Sequence, residues 1–281
     1  MPGSCSATGG TFTCMGGIIA TQTIDATGIT GAVSVTDDDS GDGTSFTTTG
    51  TALDIDTGAD VTTLNVDLDG AITATGTGAD GINITHAGSD TATVTTDGEI
   101  SATRHGIYAK AEGAGGVSID ANARVSGNLH GLRVVNTGSG GVDVTVDRVI
   151  GNKDDRNSKG VLIESTGAAG GDVNLTIGGE VFSRSAVRII NNGAGAATNV
   201  TLQAGGQRIN SNSNSFAATG LDIVADADAG DVTVKAYGGA RAAQEAILIN
   251  HANTTADADV EVIVDAALLA IRNETLSLIH I

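Results

Sequence analysis

The stretch HGIYAKAEGAGGVSIDANARVSGNL, residues 105–129, is followed at once by HGLRVVNTGSGGVDVTVDRVIGN, residues 130–152. A chain that repeats itself at a fixed spacing is building repeated structural units. Aligned on their glycines, the two units extend in both directions: Gly81, Gly106 and Gly131 lie 25 residues apart, Gly160, Ala186, Gly220 and Ala246 continue the series with insertions, and Ala52 begins it. One residue after this position stand Leu53, Ile82, Ile107, Leu132, Val161, Val187, Leu221 and Ile247, and three after it Ile55, Ile84, Ala109, Val134, Ile163, Ile189, Ile223 and Ile249. Both columns are apolar throughout. Between them lie Asp54, Asn83, Tyr108, Arg133, Leu162, Arg188, Asp222 and Leu248, so the alternation predicts a strand with one face inward and one outward.

A second relation recurs inside the units. An apolar residue is followed six positions later by another, as in Val66 and Ile72, Val94 and Ile100, Ile119 and Val125, Val144 and Ile150, and Leu175 and Val181. Glycine often stands in the intervening turn, at Gly70, Gly98, Gly179, Gly206 and Gly238, where a sharp corner is expected to demand positive φ. Arg208 falls where Ile209 is due, which predicts a one-residue bulge. Three short strands per unit cannot enclose a core alone, but stacked units can, each strand pairing with its copy above and below. The chain is therefore read as all-β: a right-handed, single-stranded parallel β-helix over residues 50–272, with about eight coils of roughly 25–34 residues. The right hand follows from the strong preference of parallel crossovers. Residues 1–49 are read as an N-terminal cap with irregular early coils, and the rod should be roughly 40 Å long at about 4.8 Å per coil.

Composition agrees and excludes. The 281 residues include 41 glycines and one proline, and aromatics are only 2%, so the core must be aliphatic. The formal net charge of −19 argues against a nucleic-acid partner, since phosphate binding needs clustered Lys and Arg. The acidity serves solubility on a long β surface that would otherwise risk aggregation. Cys5 and Cys14 are the only cysteines; they suit a small disulfide-closed hairpin in an oxidising compartment better than a metal site, or else stay unpaired. No basic segment followed by an apolar one opens the chain, so either the protein stays inside the cell or its true start lies upstream. The last residues, LSLIHI (276–281), resemble the translation of a sequencing-library adapter and are set aside as a scar, which makes the chain a fragment.

Acidic coils rich in Gly, Thr, Ala and Asp and poor in Lys and aromatics resemble the passenger domains of autotransporters, the type V secreted proteins of Gram-negative bacteria. The opening CSATGGTFTCMGG is similar to the cysteine-bracketed segment at the start of some passengers. Filamentous haemagglutinin-like adhesins share the same features. The resemblance implies an exported structural and adhesive rod at the outer-membrane surface or released from it, contacting a host-cell or matrix surface or other cells. It also implies a membrane β-barrel following the coils.

Candidate chemistry is sparse. Asp38, Ser40, Asp42 and Gly43 follow the start of a calcium loop, but Thr49 stands where a carboxylate should close it, so the stretch reads as a solvated acidic turn with calcium the one cofactor considered. Asp39-Ser40-Gly41 faintly echoes a serine-protease nucleophile without the other parts of a triad. A polysaccharide lyase or glycosidase is the alternative function. Asp222, Arg188 and Arg133 share the outward column that such an enzyme would use, yet Leu162 and Leu248 interrupt it and no tryptophan offers a sugar platform. His105 and His130 should stack in adjacent coils, and His86, Asn136, Asn191 and His251 share another column; both are read as polar turn ladders, not metal sites. The excursions at 151–158 and 207–217 break the period and are expected to leave the core and carry recognition.

Overall fold

The structure, a computed structural model, describes residues 3–37, 44–211, 218–226, 228–252 and 258–270. Asp38, Asp39, Ser40, Asp42 and Gly43 lie outside the described residues, as do 212–217 and the terminal 271–281. All regular structure is β, and the strands stack in parallel as a solenoid of about eight turns. One wall contains nine strands, from Gln22–Asp25 through Leu53–Thr57, Ile82–His86, His105–Ala111, His130–Asn136, Lys159–Ser165, Ser185–Asn191 and Leu221–Ala225 to Ile247–His251. The remaining strands form a second wall, represented by Ala92–Thr96 and Val173–Ile177, and a third, represented by Ile100–Ala102 and Val181–Ser183. Two long strands, Val117–Gly127 and Val142–Ile150, each turn the corner between these walls and join them into one sheet.

Registers follow the sequence alignment. Leu53, Ile82, Ile107, Leu132, Val161, Val187, Leu221 and Ile247 are paired in succession through the first wall. On the second wall Val66, Val94, Ile119, Val144, Leu175, Val200 and Val234 do the same. These columns are buried and form one continuous aliphatic core. Each fully buried Val, Leu or Ile contributes about 1.5–3 kcal/mol relative to exposure, which offsets the ordering of a chain with so many glycines.

The early coils stack in parallel from Thr11, where Thr11–Met15 pairs with Gly31–Asp37 and Gln22–Asp25 with Leu53–Thr57. Three details differ from expectation. Val149, not Ile150, points into the third wall: it is fully buried and pairs with Val125. A register irregularity between Ala121 and Arg124 makes the corner of the coil before it one residue longer. Gln207–Ser211 is a strand of the third wall with Ile209 fully buried, so this part of the second excursion stays in the core; the bulge falls between Gln207 and Ile209.

The turn glycines have a different cause from the one expected. Gly206 has φ of 61°, but Gly70, Gly98, Gly179 and Gly238 are not left-handed. A Cβ on Gly70 would collide with the carbonyl oxygen of Thr44, on Gly98 with that of Gly70, and on Gly179 with that of Asp147. On Gly238 it would strike the side chain of Arg208. Stacked corners approach so closely that no side chain fits between them.

At the N-terminus Cys5 and Cys14 form a disulfide. It closes a hairpin in which Ser4–Thr8 runs antiparallel to Thr11–Met15. Backbone N–H of Cys5 donates to the Gln22 side chain at 2.9 Å, tying the hairpin to the first wall.

Candidate functional site

The outer face of the first wall has a grid of side chains fixed by strand register. Along the rod run Asp54, Asn83, Tyr108, Arg133, Leu162, Arg188 and Asp222, and beside them Asp56, Thr85, Lys110, Val135, Glu164, Ile190 and Val224. The histidine column, His105, His130, Lys159 and Ser185, lies at the edge of the same wall.

Charge is segregated along this rod. No Lys or Arg occurs before Arg104, whereas residues 104–188 hold ten of the fourteen Lys and Arg against nine of the thirty-three Asp and Glu. The cations of the first wall stand in the middle coils. Arg133 lies over the Tyr108 ring, its Cζ 5.5 Å from the centroid, and donates through Nε and Nη2 to Glu164 at 3.0 and 2.8 Å. Leu162 is only 8% exposed, held between the rows of Arg133 and Arg188.

Beyond Leu162, Arg188 and Asp222 are paired loosely, Nη1 to Oδ2 at 3.6 Å. Arg188 Nε is buried without an acceptor. Lys159 reaches only the backbone carbonyls of Asn157 and Ser158, both at 3.5 Å, and among the described residues no carboxylate forms an ion pair with it. Burial first, then the nearby Arg188 charge, lowers the Lys159 pKa below its ordinary value. Burial raises that of Asp222, against the pull of Arg188 and Lys159. Opposite shifts in neighbouring groups bring their proton affinities closer together, a pattern common at sites that bind or transfer charge.

The excursion at 151–158 positions Lys159. Ser158 is fully buried and its Oγ accepts from the N–H of Asn152 at 2.7 Å, closing the loop on itself. Asn152 and Asp155 side chains each accept from the backbone two residues on, at 2.9 Å, which are Asx turns. Backbone N–H of Lys159 then donates to His130 Nδ1 at 3.0 Å.

His130 and His105 stack with centroids 5.1 Å apart and planes 10° from parallel, and His105 also stacks on Tyr108 at 5.6 Å. Burial, followed by the Arg104 and Arg133 charges, lowers His105 to about 4. Burial, His105 and Arg133 lower His130 to about 3. Both rings are neutral at pH 7. Next to them Asp80, fully buried, accepts from the Arg104 guanidinium and from the backbone N–H of His105.

The other polar column is interior. Thr57, His86, Asn136, Ser165, Asn191 and His251 share register positions at the end of the first wall and are buried. His86 bonds Thr57 Oγ1 at 2.7 Å and the Asp90 carbonyl at 2.8 Å, and Asn136 bridges the backbone of Gly138 and Gly140. His86, Asn136, Asn191 and His251 satisfy the corner backbone, whereas Ser165 Oγ is buried without a partner. Among the described residues no three His, Cys, Asp or Glu converge as a metal ion would require.

Of the wall residues singled out in the sequence, the structure brings Arg188 and Asp222 together and leaves Arg133 two coils away with Glu164. Lys159 was missed because the excursion before it hid its place in the histidine column. Comparison with protein-family models, curated proteins and solved structures finds no match to the chain.

Proposed function

We propose that the chain is part of an exported, autotransporter-type passenger that works as a structural and adhesive rod on, or released from, a Gram-negative cell surface. The observation that carries this reading is the unbroken aliphatic stack beneath a wall of outward side chains held in register. Such a scaffold supplies length, resists proteolysis and repeats its outer chemistry at each coil. The partner is a host-cell or matrix surface or another cell, met by the middle coils of the first wall and the 151–158 excursion at its edge. Beads coated with the rod should adhere to cells, and replacing 151–158 by a short turn should weaken adhesion; unchanged adhesion would remove that excursion from the contact.

A second reading, elimination from an acidic polysaccharide, draws on Lys159 and Asp222, whose proton affinities are pushed towards one another. Incubation with polyuronates should then release unsaturated products that absorb in the ultraviolet. Their absence over a panel of polyuronates would leave the adhesive reading alone.

A further inference from the structure

We propose that the first wall binds an extended, carboxylate-bearing polysaccharide along the rod axis, one carboxylate being held between Lys159 and Arg188 and another by Arg133. This rests on the adhesive reading and names its ligand class. Two cations on this wall are only weakly matched by the protein's own acceptors. Lys159 Nζ meets only carbonyls at 3.5 Å, and Arg188 Nε is buried with no acceptor while Nη1 is 3.6 Å from Asp222. A loosely paired, 40% exposed guanidinium near an ammonium held only by carbonyls is complementary to a carboxylate, which accepts from both, the guanidinium donating through its terminal nitrogens.

Spacing selects the polymer. Arg133 and Arg188 occupy the same column two coils apart, or about 9.6 Å. An extended peptide laid along the rod would present acidic side chains on one face about 6.8 Å apart, which does not match one or two coils. A polyuronate carries a carboxylate on every sugar and is not held to the strand repeat, so alternate carboxylates can meet cations two coils apart. Tyr108 and Leu162 give the wall apolar surface for ring C–H groups, and Glu164 and Asp222 accept from hydroxyls. The cation-rich middle of an otherwise acidic chain places this contact away from the strongest repulsion.

The test uses the whole chain, with a hexauronate as the probe and its fully methyl-esterified form as the neutral control, by titration calorimetry. The acid should bind and the ester should bind at least tenfold more weakly. Lys159→Gln and Arg188→Gln should each lose at least tenfold, Lys159→Arg should retain binding, and Arg148→Gln, on another wall, should have no effect. Equal affinity for acid and ester, or wild-type binding by both glutamine variants, would overturn the proposal. So would sedimentation showing that the wall joins two copies of the chain and that the glutamine variants dissolve the pair without uronate binding. Bead adhesion run in parallel separates the two readings. Adhesion that survives Lys159→Gln and Arg188→Gln removes the ligand class and leaves the adhesive rod. Uronate binding in solution with no adhesion to any surface does the reverse.

Discussion

Gly106 and Gly131 stand where the third wall turns into the first, and a single methyl is too much there. A Cβ on Gly106 would lie 2.5 Å from Val125 Cγ1, and one on Gly131 would overlap Val149 Cγ1. Ala186 occupies the same place in a later coil and is fully buried, so that corner is wider. Gly131→Ala should therefore destabilise by about 1–3 kcal/mol through overpacking, read as a lower urea midpoint, whereas Ala186→Gly should cost less. The stacked histidines predict a pH effect. Unfolded, they take up protons near 6.5; folded, only near about 4 for His105 and about 3 for His130. Between those values the unfolded chain binds more protons, so the contribution is complete above about pH 6.5 and is lost as pH falls towards 3. Melting temperature should drop between pH 7.5 and 4.5, and His105→Asn with His130→Asn should flatten that drop.

Among the elements, the disulfide hairpin and the coil corners show what was legible in the sequence. Inward columns could be read residue by residue because alternation of aliphatic and polar side chains has one structural meaning when a face is buried. The turn glycines could be located but not explained, since positive φ and close backbone approach both demand glycine. Val149 and Ile150 could not be told apart, both being aliphatic; only the corner before them decides which faces in. For the candidate site, the column of Arg133, Arg188 and Asp222 was visible, but pairing depended on side-chain reach, and Lys159 was concealed by an insertion. The hairpin itself carries a prediction. Replacing Cys5 and Cys14 by serine should cost about 2–3 kcal/mol for so short a loop, and hydrogen exchange should show the first coils opening before the middle ones.

For the whole molecule, each coil depends only on its neighbours. Removing Gly106–His130, one full repeat, joins His105 to Gly131 and restores every column, so the shortened chain should fold with its β circular dichroism intact and a length reduced by about 4.8 Å in solution scattering. Removing Gly106–Ser118, an odd number of residues, places inward residues outward and should leave the chain unfolded or aggregated.

The hairpin also bears on how rods meet one another. A stack of parallel coils accepts a neighbour's terminal coil by the same hydrogen bonds that hold its own, and repeated additions of that kind make a fibril. The strand Ser4–Thr8 runs against the stack, largely exposed, and is locked there by a covalent bond spanning nine residues of sequence. Over Thr11–Met15 the reversed hairpin strand stands where a parallel template would otherwise be exposed. The disulfide thus holds a non-templating strand against the first coil, and a reducing medium should release that strand before it disturbs the core.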